Sequence, residues 1–397
     1  MQAADFQSHS PGRLVPTVHG ALAFVPDPMP AELPLGPATV RLLSEADYAV
    51  GRLAGAAGRL LNPYLVGQPL LRREAILSSR IEGTYTTPEQ LVLLEAGAPA
   101  AEASSREAED TREVLNYIRA MEHGLDLLQK IPVSLRLVRE VHAVLLDGVR
   151  GGQDRPGVFR TEQNYIGSRS SSIAHARFVP PPVPEMDTAL RRWEADLHLE
   201  PDPLPLLVRV AAAHYQFEAI HPFRDGNGRV GRLLIPLLLC DRKRLSEPLL
   251  YLSAYFDRHR SAYMDHLLAV STDGAWEPWV AFFLTGVAES AAESLAFTDQ
   301  LIDLREAYFE RVRTARSSAL LAKVIDALFR VPSITIAQAA SLLGVTPAAA
   351  SYNLKKLAAL GIVTEATGRV RDRVYVAREI LAIVGRDLGP PEAPAGP

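Results

Sequence analysis

The chain lacks several features that mark large classes of proteins. It has a single cysteine, Cys240, among 397 residues, which excludes an internal disulfide and a cysteine-based zinc site. No segment looks apolar for long enough to span a membrane, and the N-terminus has no basic stretch followed by an apolar core. A Gly-x-x-x-x-Gly-Lys phosphate loop is also absent. We therefore expect a cytoplasmic protein that does not contact membranes.

Composition gives no overall attraction to one kind of partner. The net charge is -4, so any contact with DNA requires a local basic patch. With 48% hydrophobic and 22% charged residues, the length suits a globular protein of two or three modules.

The spacing of apolar residues predicts a mainly α-helical chain. Pro63 and Pro69 separate two predicted helices, the second of which runs from about Leu70 to a stop at Gly83. Residues 159–167 and 176–179 flank a Ser-rich turn and predict a short β-hairpin. These patterns divide the chain into an extended arm (1–36), an N-terminal helical region (37–110), a central helical domain (111–300), a connecting helix (301–316), a winged helix-turn-helix domain of α+β type (317–385) and a disordered tail (386–397).

The most informative segment runs from His221 to Arg232 and reads HPFRDGNGRVGR. A predicted helix ends at His221 and the next begins near Asn227, so the turn Gly226-Asn227-Gly228 lies at a helix N-terminus. Backbone N–H groups at such a terminus, together with the positive end of the helix dipole, form an anion site.

Other side chains of this segment add to the anion site. Arg229 and Arg232 are three residues apart and hence on one helix face, and guanidinium groups suit phosphate oxygens. Asp225 offers the hard oxygen ligand that Mg²⁺ prefers when phosphates complete its coordination. His221 can accept a proton near neutral pH. Because no protein nucleophile stands nearby, the set predicts direct transfer of a phosphorus group to an external hydroxyl.

The same segment matches H-x-F-x-[D/E]-G-N-G-R-x-x-R at every fixed position and resembles the Fic (Fido) family of nucleotidyl transferases. The resemblance covers about residues 30–300 and implies a Fic-type helical bundle with a short β-hairpin flap. It implies a protein adenylyltransferase in which His221 deprotonates a Ser, Thr or Tyr hydroxyl of a protein target, or of the chain itself. That hydroxyl attacks the α-phosphate of ATP, and pyrophosphate leaves.

The resemblance also gives each residue of the motif a role. Phe223 anchors the loop in the core, and Asp225 holds Mg²⁺ between the α- and β-phosphates. Gly226, Asn227 and Gly228 form the anion hole, Arg229 holds the β-phosphate and Arg232 holds the γ-phosphate. Transfer of UMP, phosphocholine or phosphate, which some relatives perform, is an alternative that fits the wording His-Pro-Phe-Arg-Asp less well.

Two further regions resemble parts of the family's site. In the flap, Ile166 and Gly167 would dock the target, whose backbone would add as a strand. Tyr251, Tyr255 and Tyr263 would lie on the adenine side together with His259, where relatives often have Asn instead.

Ser78-x-x-x-Glu82-Gly83 matches the family's inhibitory helix motif. The resemblance implies that Glu82 pairs with Arg232 and so occupies the guanidinium that the γ-phosphate needs. In some relatives this glutamate also positions the water that removes AMP, so an enzyme that both adds and removes AMP is a further alternative.

The predicted winged helix leads to an alternative function. The domain could contact DNA or a protein, through Ser351, Asn353, Lys355 and Lys356 of one helix and Arg369, Arg371 and Arg373 of the wing. The chain would then be a transcriptional regulator whose Fic module senses ATP or modifies itself. The sequence leaves open a homodimer.

Overall fold

The computed structural model describes the chain except residues 19, 59–63, 99–103, 154, 168–172, 315–318, 370, 387 and 389–397. Pro63, the predicted Ser-rich turn and most of the predicted tail therefore lie outside the described residues. The chain divides into two compact units, with residues 1–54 and 119–291 in unit 1 and residues 55–118 and 292–397 in unit 2.

Most of the described chain is helical, as predicted. The helices are α1 Pro37–Ala57, α2 Tyr64–Ile81, α3 Pro88–Glu95, α4 Ser105–Leu128, α5 Leu135–Leu145, α6 Val183–Leu197, α7 Leu206–Ile220, α8 Asn227–Asp241, α9 Ser253–Arg258, α10 Arg260–Asp273, α11 Trp276–Thr314, α12 Ala319–Arg330, α13 Ile336–Leu343, α14 Pro347–Ala359 and α15 Arg378–Val384. The strands are β1 Gly12–Pro16, β2 Leu22–Pro26, β3 Ser333–Thr335, β4 Thr364–Glu365 and β5 Val374–Val376.

The centre of unit 1 is the pair of helices α7 and α8, which pack against each other. Nearly every residue of both helices is buried, because their sequences are apolar all round rather than along one stripe. A helix buried on all sides holds its ends firmly. The short connection between α7 and α8, residues 221–226, is therefore fixed by the core on both sides.

The N-terminal segment differs from the predicted extended arm. Strands β1 and β2 form an antiparallel hairpin in which Leu14 stands opposite Phe24. Residues Ala23, Phe24 and Val25 of β2 are buried, which gives the hairpin a place in the core of unit 1. The sequence analysis missed this hairpin because the Pro and Gly residues around it resemble those of a loop.

The predicted flap hairpin is reduced to one antiparallel bridge in the described residues. The Ile166 N–H donates to the Phe178 carbonyl over 2.8 Å, and the Phe178 N–H donates to the Ile166 carbonyl over 3.2 Å. Residues 159–165, predicted as part of the first strand, carry no strand assignment.

Helix α2 begins earlier than predicted. It starts at Tyr64 and includes Pro69, which the sequence analysis treated as a break. Pro69 lacks the N–H that would bond to the carbonyl four residues earlier, yet the helix continues through it because the adjacent Leu70 and Leu71 are buried in the core. Gly83 has φ +82° and ends the helical segment, as predicted.

In unit 2, residues from both of its chain segments share one core. Val92 and Leu93 of α3 pack in a buried cluster with Val374, Val376 and Leu381. Residues of α3, in the predicted N-terminal helical region, thus pack with the predicted winged helix-turn-helix domain. Strands β3, β5 and β4 form an antiparallel sheet in that order, beside the consecutive helices α13 and α14.

One helix differs from the expectation that no segment is apolar for long enough to span a membrane. By length and composition, Trp276–Arg313 is apolar enough to cross a membrane, with a mean hydropathy of 1.3 in its most apolar window. Half of that window is buried within the protein, as in the core helices of many proteins. This helix is therefore weak evidence for a membrane span.

Candidate active site

The connection between α7 and α8 turns sharply at two residues with left-handed backbone. His221 caps α7 with φ +50° and ψ +62°, and Gly226 precedes α8 with φ +79° and ψ +3°. The unusual backbone at a non-glycine residue turns the chain away from α7 directly after its last turn. His221, at this corner, remains partly exposed while both flanking helices are buried.

Asn227 closes the loop with its side chain. Its Oδ1 accepts a hydrogen bond from the Phe223 N–H over 2.8 Å, and its Nδ2 donates to the Phe223 carbonyl over 2.8 Å. One amide thus satisfies both backbone groups of a residue four positions earlier, which no shorter or apolar side chain could do. The sequence analysis assigned Asn227 to the anion hole, and the structure gives its side chain this additional role.

Phe223 holds the loop to the core of unit 1. The side chain is fully buried, and its ring lies parallel to that of His142 with 3.6 Å between the centroids. Two residues from the flap side hold the backbone nearby: Asn164 Nδ2 donates to the Phe223 carbonyl over 2.9 Å, and Arg160 Nε donates to the His221 carbonyl over 3.0 Å. The loop is therefore held from both sides.

His142 of α5 is a site residue that the sequence analysis missed. Its Nδ1 accepts a hydrogen bond from the Gly157 N–H over 2.8 Å, so its other nitrogen, Nε2, carries the proton and donates to the Asp225 carbonyl over 3.1 Å. Burial lowers the pKa of His142 to about 4, so the ring is neutral at physiological pH. A lone histidine in a predicted amphipathic helix gives no signal of this contact.

Asp225 presents a carboxylate that fits a divalent cation. Its side chain is 41% exposed, its Oδ1 accepts from the Gly226 N–H over 2.6 Å and lies 3.6 Å from Arg229 Nη2. A Cβ added to Gly151, which has φ +84°, would lie 2.7 Å from Asp225 Oδ2. The backbone of the loop that follows α5 therefore lies close to this carboxylate. No group of three or more His, Cys, Asp or Glu side chains suited to a metal occurs among the described residues. A cation at Asp225 therefore needs phosphate oxygens as further ligands.

Arg229 and Arg232 lie on the first turns of α8, and both are buried. Together with the N–H groups of the first turn they concentrate positive charge at the end of α8 that follows the loop. His214 of α7 lies near Arg232, and its pKa is lowered to about 3 by burial and, to a smaller extent, by that positive charge. The helix end therefore suits a polyanion.

The ring of His221 is oriented by the end of its own helix. Nδ1 lies 3.3 Å from the Glu218 carbonyl, where a protonated Nδ1 donates. In that tautomer the lone pair that accepts a proton is on Nε2. This is the arrangement that a general base requires.

An apolar cavity of about 110 Å³ lies beside the end of α7. A volume of this size suits a single ring rather than a whole nucleotide, and the lining is largely apolar. Its lining residues come from the flap, α7 and α10: Ile166, Arg177, Phe178, Tyr215, Glu218, Ala219, Met264, Leu267, Leu268 and Ser271.

The aromatic residues predicted for the adenine side lie in unit 1 but do not line this cavity, and their contact with adenine stays a prediction. Tyr255 packs against His259, with 4.6 Å between ring centroids, and against Phe282 of α11. Tyr263 is buried, with its hydroxyl 2.8 Å from His214 Nε2, and Tyr251 is buried as well. Helix α10, which carries Tyr263, instead contributes its apolar residues Met264, Leu267 and Leu268 to the lining of the cavity.

Ser78, Glu82 and Gly83 lie in unit 2, at and just after the end of α2. The turn is fastened to α4, because Thr84 Oγ1 donates to Glu113 Oε2 over 2.9 Å and the Tyr85 N–H donates to Asp110 Oδ2 over 3.1 Å. The pairing of Glu82 with Arg232 of unit 1 stays a prediction.

The residues predicted to contact nucleic acid differ in how exposed they are. Lys355, Arg369 and Arg371 are exposed, and Lys356 is partly exposed with its Nζ 4.8 Å from the ring centroid of Tyr352. Arg373 is partly exposed, and its Nε donates to the Arg369 carbonyl. Asn353 is buried, so it is badly placed for the contact predicted for it.

Comparison with known proteins agrees with this site. Residues 40–126 match the N-terminal region of the Fic/DOC family, and residues 132–239 match the Fic/DOC family itself. The protein adenylyltransferase Fic of Drosophila sechellia is 31% identical over 179 residues, and that of Culex quinquefasciatus is 33% identical over 180 residues. Each alignment covers 44% of this chain and 32% of the relative, so the chain spans about a third of the length of the curated relatives it matches.

A solved structure extends the likeness of fold. A Fic family protein from Desulfovibrio desulfuricans superimposes with a TM-score of 0.56 over 87% of this chain and 97% of its own length, at 21% identity. The His221–Arg232 segment, with its loop and its two arginines, falls within the matched residues 132–239. Over residues 40–239 the chain belongs to the Fic/DOC family.

Proposed function

We propose that the chain is a protein adenylyltransferase, which transfers AMP from ATP to a hydroxyl group of a protein target or of itself. The observation that carries the proposal is the geometry of residues 221–232. A histidine at a fixed corner, a half-exposed carboxylate and two buried arginines surround one helix N-terminus. The naming of the matched relatives as adenylyltransferases supports AMP as the transferred group.

In the reaction, Nε2 of His221 accepts the proton of the target hydroxyl as its oxygen attacks the α-phosphorus of ATP. The new bond joins that oxygen to phosphorus, and the bond from phosphorus to the bridging oxygen breaks, so that pyrophosphate leaves. The N–H groups at the start of α8 stabilise the charge on the phosphate, and Arg229 and Arg232 bind the β- and γ-phosphates. Asp225 would hold a magnesium ion, which would offset the charge between the α- and β-phosphates.

The apolar cavity would take the adenine ring. Its lining offers flat contact from Ile166, Phe178 and Leu267, and a hydroxyl from Ser271. The target would bind at the flap, where an extended segment can add beside Ile166 through backbone groups of the adjacent residues, because the N–H and carbonyl of Ile166 itself are bonded to Phe178.

Inhibition by Glu82 is part of the proposal. A carboxylate paired with Arg232 would compete with the γ-phosphate, and the firm attachment of residues 84 and 85 to α4 would hold that carboxylate in one place. The same carboxylate could orient water for removal of AMP.

We also propose that residues 319–384 form a winged helix. The order of α12, β3, α13, α14, β4 and β5, with antiparallel pairing of β5 to both β3 and β4, supports it. Exposed Lys355, Arg369 and Arg371 favour contact with phosphate groups of DNA. The test is retention of the full chain on duplex DNA. A regulatory function is supported if retention is lost in the triple variant Arg369→Ala, Arg371→Ala, Arg373→Ala and kept in the control Lys323→Ala. Equal retention of the triple variant and the wild type would exclude it.

The adenylyltransferase proposal is tested by transfer of label from α-labelled ATP with Mg²⁺, combined with intact mass. The proteins compared are wild type, Glu82→Gly and Glu82→Gly/His221→Ala, alone and with added cell proteins. We expect an AMP adduct that increases strongly in Glu82→Gly and disappears with His221→Ala, since general-base catalysis contributes about 10²- to 10⁴-fold. Equal labelling of wild type and Glu82→Gly would exclude the inhibition, and labelling that survives His221→Ala would exclude the mechanism.

A further inference from the structure

The N-terminal hairpin is attached directly to the flap. The Phe24 N–H of β2 donates to the Val179 carbonyl over 2.9 Å. The Phe24 ring packs against that of Phe178, with 5.9 Å between centroids, and Ala23 shares a buried cluster with Ala176 and Val179. We call residues 176–179, the second half of the flap, the return strand.

The return strand makes backbone hydrogen bonds to neighbouring segments on both of its sides. Phe178 exchanges two backbone hydrogen bonds with Ile166, while the carbonyl of the next residue, Val179, accepts from Phe24. Successive residues of an extended chain direct their backbone groups to opposite sides. The return strand is therefore the middle of three neighbouring segments, with Ile166 on one side and β2 on the other.

We infer that the hairpin β1–β2 is a brace that orders the docking edge of the flap, with Phe24 as its positioning residue. The inference rests on the proposed function of Ile166 in binding the target. Two hydrogen bonds between two short segments are marginal in water, whereas a third segment with an apolar face gives such an edge its order. A target strand that adds at Ile166 then joins an edge that is already ordered, so less conformational entropy is lost on binding.

The brace also shapes the apolar cavity. Arg177 and Phe178 of the return strand line that cavity, and Phe24 packs on Phe178 from the N-terminal side. Removing the Phe24 ring should therefore loosen two functional surfaces together, although Phe24 itself lines neither.

Hydrogen–deuterium exchange of the full chain tests the inference without any need for activity. The amides of Ile166 and Phe178 report on the flap, and amides in the middle of α7 and α8 report on the fold of unit 1. In Phe24→Ala we expect exchange at the two flap amides to increase about tenfold or more, with α7 and α8 unchanged. The matched control is Val18→Ala in the turn of the same hairpin, where the side chain is 93% exposed; we expect it to exchange as wild type does.

The outcomes separate cleanly. Flap exchange that stays at the wild-type rate in Phe24→Ala overturns the brace. If Phe24→Ala accelerates exchange throughout unit 1, the variant Phe24→Leu decides, since it keeps an apolar side chain but lacks the ring contact with Phe178. Unchanged flap exchange in Phe24→Leu would then overturn the inference, and selective acceleration would support it.

A second measurement links the brace to transfer. In the Glu82→Gly background, Phe24→Leu should reduce AMP incorporation into protein several-fold, while Val18→Ala should not. If Glu82→Gly shows no transfer at all, the proposed function fails, but the exchange result still decides whether the hairpin orders the flap. If transfer is high and Phe24→Leu leaves it unchanged while flap exchange rises, the brace has no part in docking.

Discussion

The loop between α7 and α8 and the flap lie side by side in unit 1, but they differ in how far along the chain their contacts reach. The loop closes through contacts between near neighbours, such as Asn227 to Phe223, four residues apart. The flap is held by residues far away in the chain, namely Asn164 bonding across 59 positions to Phe223, and Phe24 bonding to Val179. A short sequence can therefore specify the closure of the loop, although Arg160, Asn164 and His142 also bond to it, whereas the flap depends on distant residues throughout. The loop should tolerate few changes within itself, and the flap should respond to changes made elsewhere.

The largest effect that separates the two regions is expected from Asn227→Ala. The substitution leaves the buried Phe223 N–H without its acceptor and removes a second hydrogen bond, which should cost about 3 kcal/mol in the free energy of unfolding. Chemical denaturation of the variant and the wild type measures this loss. A cost below about 1 kcal/mol would mean that the loop does not depend on its own asparagine.

A change of pH tests how two buried histidines, one of which contacts the loop, affect the stability of the protein. The folded-state pKa values of His142 and His214 are lowered to about 4 and about 3, below the usual 6.5, so the unfolded chain binds protons first as the pH falls. Stability is therefore fully present above pH 6.5 and decreases below it, by about 1.4 kcal/mol per pH unit for each ring down to its folded pKa. Denaturation between pH 7.5 and 5 measures the slope.

The control for the pH experiment is His142→Phe, which keeps a ring against Phe223 but cannot titrate. We expect about half of the slope to disappear in this variant. A slope identical to that of wild type would show that the folded protein does bind a proton at His142 within this range.

Gly226→Ala should have a smaller effect, confined to the loop backbone. Gly226 has φ +79°, and an added Cβ would meet its nearest atoms, those of His142, at an ordinary 3.6 Å. The cost is then backbone strain alone, about 1 kcal/mol. We expect thermal unfolding a few degrees lower, and an unchanged midpoint would indicate that the turn relaxes without strain.

The smallest effect on overall stability is expected from Asn164→Ala, the long-range counterpart of Asn227→Ala. Asn164 as a residue is partly exposed, its buried Oδ1 has no hydrogen-bond partner to lose among the described residues, and Phe223 keeps its hydrogen bonds to Asn227, so unfolding should change by less than about 1 kcal/mol. Amide exchange at Ile166 should nevertheless rise several-fold. If the two asparagine variants lose equal stability, the contrast between loop and flap does not hold.

The same contrast explains what could be predicted from the sequence. The helix ends that flank the motif lie within one residue of their predicted positions, because α7 and α8 have strong apolar patterns and the turn at Gly226 has its own signature. Helix α2 was predicted to start too late, since Pro69 was given more weight than the packing that keeps it helical.

The missed features all depend on contacts between distant segments. No local pattern indicates that His142 donates to the Asp225 carbonyl, or that β2 lies beside the return strand. The cavity is lined by Met264 and Leu267, and such apolar residues on a helix resemble ordinary core. Asn353 seemed a surface contact because it is polar, yet it is buried.

One feature of unit 2 has a thermodynamic consequence. Helix α2, which ends just before Glu82, packs against α12, and Arg73 of α2 donates to the carbonyls of Val384 and Arg386. Since the C-terminal segment and α2 share this packing, a molecule that binds only the folded C-terminal segment stabilises α2 through the same equilibrium. Binding far along the chain would thereby add to the stability of the helix that ends just before Glu82.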